Sequence, residues 1–506
     1  MKVAWIVAAV VAAALAGCTG DPETPEADDV QVDPPAPADH ILDGTVEPTG
    51  LEAPGFSLLG ALAEGGPVYG AGEPSIWVHL DGTVYAAFPG CDSGPYYLLP
   101  NLPGQERCEH GLVYRSDDGG ATWKRLNRAG DGRLTDEGPA ANGDADVTVD
   151  AAGTVYTSDL GGGIQVFRSD DRGAAWSHVG DVVPEGHWAD RQWMAAGGPG
   201  HLVMAWMGGT DQPFTRQVAV NTTFDGGKTW TGVEYLGDGI GWLGTAQFAP
   251  DGGVYVPFTQ NDGNSVFSLR VAHSPDGGVT WHDMDTGATV TRSTQGGHWA
   301  GVLMAPALDV TGDGTVVYAW SEEVLDPTGQ TATGTVVKAM ALRNGSWSEP
   351  LVLSDSEQAV QPWVTGGAGD RFAITWYAGN APGDSELNGG AWDVRAAVVD
   401  GIGDQARVVA ATIDEGVHYG PLCSTGSGCV GPYDRALLDF FESDLLPDGR
   451  LIVIYPADPL TEGGAIQMRI AVQDAGTRLL ERPGAAEASD TFTATATATV
   501  SPAPQR

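Results

Sequence analysis

An eight-residue pattern, Ser/Thr-x-Asp-x-Gly-x-x-Trp, occurs four times, at 116–123, 169–176, 223–230 and 274–281. Each copy follows a short run of strand-forming residues, such as Leu112-Val113-Tyr114-Arg115 or Gln165-Val166-Phe167-Arg168, which places the pattern on a β-hairpin. Asp118, Asp171, Asp225 and Asp276 can accept backbone N–H bonds inside the turn, and glycine supplies positive φ. Trp123, Trp176, Trp230 and Trp281 return to cover the sheet. Composition points the same way. The 73 Gly and 33 Pro exceed what a helical bundle tolerates, and 42% hydrophobic residues exceed what a disordered acidic chain carries.

A second repeat consists of an apolar strand, a turn centred on Gly, and a strand of the kind Val-Tyr-x-x-Phe. It spans 75–88, 145–158, 192–206, 243–258, 303–320, 363–376 and 437–455. Asp-Gly at 81–82, 251–252, 313–314 and 448–449 favours a type I′ turn. The eight-residue pattern resembles the Asp-box, or BNR repeat, of sialidase-like β-propellers, and the resemblance covers roughly residues 55–482. It implies an all-β propeller of four-stranded antiparallel blades. Seven inner hairpins predict seven blades, or six if the first or last hairpin is an appendage. The last three blades lack a good box, although Arg343-Asn344-Gly345-Ser346-Trp347 looks like a worn copy. In that family the box joins the two outer strands of a blade, away from the active centre, so it identifies a fold and not a catalytic site.

Met1 and Lys2 precede an apolar run from Val3 to Ala16, the length of a signal h-region and short for a membrane span. Leu15-Ala16-Gly17-Cys18 resembles the lipobox of prokaryotic lipoproteins, which implies removal of 1–17 and a lipid on Cys18; the alternative is an ordinary secretory signal with an incidental cysteine. Residues 18–54 read as an acidic, Pro-rich disordered stalk and 483–506 as a disordered Thr/Ala/Pro-rich tail. In an exported chain, Cys91 with Cys108 and Cys423 with Cys429 are expected to form disulfides, since a four-thiolate metal site would need Cys-x-x-Cys spacing. A formal charge of −41, with only 25 Lys+Arg, excludes a nucleic-acid partner and suits a hydrated, monomeric protein.

In a propeller the inner strands line an axial channel and their entrances converge at one end. The residues at those entrances are Glu73, Asp144, Asp190 with Arg191, Trp242, His298 with Trp299, Gln361 with Trp363, and Asp434 with Arg435. Gly-His-Trp-Ala occurs at 186–189 and 297–300, so His187 and His298 are expected at equivalent places. The resemblance implies three arginines, a Tyr nucleophile assisted by Glu, and an Asp acid/base. Arg191 and Arg435 could supply two clamp members and Tyr433 the nucleophile, yet Gly72-Glu73-Pro74 stands where the family carries Arg-Ile-Pro. A carboxylate there repels an anionic sugar, and with no third arginine at an entrance a conventional sialidase is disfavoured.

Another glycosidase needs only two carboxyl groups, and Glu73, Asp190 and Asp434 are the candidates. The competing expectation is that Asp190-Arg191 and Asp434-Arg435 are ion pairs locking inner strands. Neither histidine belongs to a metal-binding motif. No cofactor is expected, although Asp309-Val310-Thr311-Gly312-Asp313-Gly314 offers oxygen ligands for a structural calcium as well as an ordinary hairpin. The reading is a recognition module for a glycan or an extracellular protein, with Arg191, Arg435, His187, His298, Trp242, Trp299 and Trp363 in contact with ligand. A glycoside hydrolase and a non-catalytic envelope scaffold are the alternatives.

Overall fold

The computed structural model of the protein describes residues 50–62, 69–70, 72–91, 110–126, 144–160, 163–211, 214–263, 265–293, 306–383, 390–422, 437–457 and 466–480. They form seven antiparallel sheets with one short 3-10 turn and no α-helix. In chain order the sheets are blade 1 (69–125), blade 2 (145–181), blade 3 (187–236), blade 4 (240–291), blade 5 (307–352), blade 6 (358–419) and blade 7 (442–475). Each inner strand neighbours the next, and that of blade 7 neighbours that of blade 1, so the chain closes a seven-bladed propeller.

Closure has a specific device. Gly55–Ala61 pairs with Gln467–Ala475 as the outer strand of blade 7, so the two ends of the ring share one sheet. Glu52 N donates to Thr477 Oγ1 at 2.7 Å and extends the seam.

The burial pattern follows from this stacking. Middle strands lie between two neighbouring blades and are apolar on both faces, as in Arg371–Gly379 and Leu451–Ala457, which are buried throughout. The outer strand His282–Thr291 is buried only at intervals and is correspondingly polar.

The turns depart from expectation in type. In blade 1, His79 N bonds Thr83 O at 2.8 Å and Gly82 N bonds His79 O at 2.9 Å, while Gly82 alone is left-handed at φ 86°. That is a type I turn followed by a left-handed glycine, not type I′, because Asp81 is occupied in accepting the N–H of Thr83 at 2.9 Å. Blades 2, 4, 5 and 7 repeat the pattern at Gly153, Gly252, Gly314 and Gly449. A type I′ turn does occur at Asn344-Gly345, φ 51° and 76°, where the worn box was expected; Arg343 pairs with Ser346 in a two-residue hairpin.

The four eight-residue turns join the third and fourth strands of blades 1 to 4. In the first, Asp118 accepts Ser116 Oγ at 2.7 Å and Thr122 N at 2.8 Å, Gly120 N donates to Ser116 Oγ at 2.8 Å, and Trp123 Nε1 donates to Gly120 O at 2.8 Å. Asp171, Asp225 and Asp276 anchor the same network. The left-handed glycine of each turn lies against the preceding blade: a Cβ on Gly120 would stand 2.9 Å from Ile452 of blade 7, and one on Gly227 2.7 Å from Val179 of blade 2. The turn that closes a hairpin therefore also docks one blade on another.

Candidate functional site: the axial mouth

Four non-glycine residues at inner-strand entrances are left-handed: Glu73 (φ 52°), Arg191 (52°), Gln361 (54°) and Leu438 (53°), in blades 1, 3, 6 and 7. Each such residue costs on the order of 1 kcal/mol, and a cluster of them persists only where the surroundings impose it. Two lie at register shifts of the inner hairpin, between Asp190 and Gln192 and between Val360 and Trp363. The kink in blade 1 also needs Gly72 (φ 111°), since a Cβ there would stand 2.9 Å from the Leu438 side chain and 3.0 Å from Leu437 O. These kinks turn side chains from four blades toward one another.

Arg191 is the centre of that convergence. Its Nη2 donates to Asp439 Oδ2 of the segment entering blade 7, and its Nη1 lies 3.9 Å from Glu73 Oε1 of blade 1. Its Cζ sits 4.1 Å from the ring centroid of Trp242 at the start of blade 4, with Arg216 Cζ 5.5 Å from the same ring. Arg191, Glu73 and Asp439 are 6%, 5% and 1% exposed, so the ion pairs are desolvated, whereas Trp242 and Arg216 are half-buried. Among the described residues, Arg191 Nε and Nη1 have no hydrogen-bond partner. Neither has Gln361 Oε1, whose own amide donates to Leu438 O at 2.6 Å.

Two further carboxyls complete the mouth. Burial, then the charge of Glu73 and a hydrogen bond shared with it, hold Asp144 well above the usual carboxylate range, against the pull of Arg191. Asp190 is raised by burial and then by Asp144, while Arg191 and Arg216 oppose the shift. Burial lowers Arg216, with Asp190 counteracting.

Glu73, Asp190, Arg191 and Trp242 lie together in this cluster. The local Asp190–Arg191 ion pair does not form; at the left-handed kink Arg191 turns instead to Asp439 and Glu73. His187 stacks on Tyr235 of the outermost strand of blade 3 at 5.5 Å, away from this cluster. Trp363 is 5% exposed and stacks 6.1 Å from Phe440, which lies 5.3 Å from Trp193. These three rings form one layer, in which Trp193 and Trp363 line the axial cavity. His298, Trp299, Tyr433, Asp434, Arg435, Cys18, Cys108, Cys423, Cys429 and the side chain of Cys91 lie outside the described residues.

A second set of carboxyls lies at the axis, of which sequence reasoning had singled out only Asp309, and for another role. Asp146, Asp309, Glu442 and Asp444 line an axial cavity of about 150 Å³, and each accepts a backbone N–H from the following blade. The donors are Met194 for Asp146 at 2.5 Å, Gly366 for Asp309 at 2.7 Å, Ile76 for Glu442 at 2.9 Å and Val78 for Asp444 at 2.6 Å. Inner strands leave one edge unpaired at the axis, and these side chains satisfy it. The available signal was an acid inside a short apolar strand, as in Ala145–Val149 and Ala307–Val310. Burial raises Asp146 and Asp309 to about 6, Asp444 to about 7 and Glu442 well above its usual value.

Asp309 therefore belongs to the axis, whereas Asp313 holds its own turn and lies 2.8 Å from Arg343. The 309–314 stretch is a hairpin whose two acids serve different places. Among the described residues no group of three or more His, Cys, Asp or Glu is placed to hold a metal ion.

No family model and no curated sequence matches the chain. Solved structures similar to it include an ulvan lyase bound to a glucuronate–sulfated rhamnose oligosaccharide (12% identity, 81% of this chain and 95% of that one, TM-score 0.47). Others are the α-L-arabinofuranosidase of Fusarium graminearum with arabinobiose (14%, 82% and 97%, 0.40) and the intramolecular trans-sialidase of Ruminococcus gnavus (13%, 84% and 99%, 0.39). At these identities and TM-scores the likeness carries nothing about chemistry.

Proposed function

We propose that this chain is an exported β-propeller that recognises a glycan at its axial mouth and is held to a membrane by a lipid on Cys18. The observation that carries the recognition reading is the Arg191–Trp242 stack: an aromatic surface and a buried guanidinium with two unpartnered N–H groups stand together where blades 1, 3, 4 and 7 converge. An indole face suits the apolar face of a sugar ring, and fixed donors suit its hydroxyls. The acidic stretch between Cys18 and the seam at Glu52 would serve as the spacer between lipid and ring.

A second reading, glycoside hydrolysis, draws support from the raised Asp190, since a proton donor of such an enzyme needs an elevated pKa.

A glycan array with a chromogenic-glycoside screen separates the two. Recognition gives retention without turnover, abolished in Trp242→Ala; turnover lost in any one of Glu73→Gln, Asp190→Asn or Asp434→Asn would replace it with hydrolysis. For the anchor, Cys18→Ser is expected to abolish fatty-acid incorporation and release the protein from the membrane fraction; unchanged partitioning would refute it.

A further inference from the structure

We infer that the glycan end this mouth takes is an uncharged sugar, and that the mouth turns away sugars bearing a carboxylate. The inference rests on the recognition reading and specifies its ligand. Among the described residues, Arg191 and Arg216 face four carboxyls, Glu73, Asp144, Asp190 and Asp439, from blades 1, 2, 3 and 7. Arg191 already has Asp439 on one nitrogen and Glu73 at 3.9 Å on another, both buried. A carboxylate approaching it meets two anions that are closer than any solvent screening can reach. Arg216 is engaged with Gly241 O at 2.7 Å and faces Asp190. Neither guanidinium is therefore an open clamp for an anion.

What the site leaves unused is of both polarities. Arg191 Nε and Nη1 are donors without acceptors, and Gln361 Oε1 is an acceptor without a donor; both residues are more than nine-tenths buried. Gln361 is tied to Leu438, the residue before Asp439, so both residues are anchored on the segment that enters blade 7. A carboxylate only accepts and cannot fill both, whereas a hydroxyl gives and accepts. Neighbouring hydroxyls on a neutral ring match that combination, beside the half-buried indole of Trp242.

Calorimetric titration of the full-length protein with matched oligosaccharides tests this, galactose-terminated against galacturonate-terminated and glucose-terminated against glucuronate-terminated. The neutral member of each pair is expected to bind at least about tenfold more tightly, by a margin that changes little with added salt because Glu73 and Asp439 are buried. Equal or tighter binding of the acidic member would overturn the inference and leave the recognition reading standing; binding of neither member, nor of any glycan on an array, would remove both. Glu73→Gln/Asp439→Asn frees the Arg191 guanidinium and is expected to raise relative affinity for the acidic member about tenfold. Because those partners are buried, the half-buried Asp190→Asn serves as a milder companion with a severalfold shift in the same direction. An unaltered preference in Asp190→Asn, once its fold is verified, would also count against the inference.

Discussion

Replacing Arg191 with Met removes the guanidinium from two buried carboxylates, Glu73 and Asp439. Loss of one partner from such a site costs about 3 to 5 kcal/mol, so Arg191→Met should lower the urea midpoint well below that of a typical surface variant. Adding Asp439→Asn to it should recover part of the loss, and a double variant no more stable than Arg191→Met would disprove the pairing. Glu73, Arg191 and Trp242 were legible because each stands just before a copy of the second repeat. Asp439 was not, since it stands 248 residues from Arg191 and only ring closure makes them neighbours. Nor could sequence show the left-handed backbone of Glu73, Arg191, Gln361 and Leu438, because none of these residue types favours it locally.

At the level of single elements, the box turns and inner hairpins were readable because a few adjacent residues determine them. Their inter-blade contacts were not, and two glycines separate the two roles. Gly252 is left-handed at φ 88° with open space around it, while Gly278, at φ 97°, faces Thr222 and Val203 of the preceding blade. Gly252→Ala should cost only the conformational penalty, about 1 kcal/mol, and Gly278→Ala about 2 to 3 kcal/mol because Thr222 must also move. Equal midpoints for the two variants in urea would contradict the docking role of the box turn. The type I′ expectation failed for a related reason: Asp81-Gly82 is compatible with two hairpin registers, and the Asp81 side chain, by bonding Thr83, selects the longer one.

For the whole molecule the axial carboxyls set the pH response. Asp146 and Asp309 at about 6 and Asp444 at about 7 titrate well above their unfolded value of 3.8, so between these limits the folded state binds protons that the unfolded chain does not. Stability should therefore rise as pH falls from about 8 to about 5, and relief of the −41 net charge works in the same direction. The box acids oppose this only in stronger acid. Partial burial pushes Asp118 up, but bonds from Thr122 and Ser116 hold it below its usual range, so its contribution is lost as pH falls beneath the unfolded value. Thermal unfolding at about pH 5 and about pH 8 checks the sign; a lower midpoint at pH 5 would be incompatible with the buried axial acids. Seven blades were countable from repeating hairpins, but the contribution of Gly55–Ala61 to the last blade lay beyond local pattern. The most direct test of the mouth as a single site is a hydrogen-exchange footprint of the full-length protein saturated with a neutral oligosaccharide. Slowed exchange should appear together at 72–76, 190–194, 240–243, 361–364 and 437–441, segments of five blades. Protection restricted to one blade, or placed on the box turns at the rim, would contradict the account.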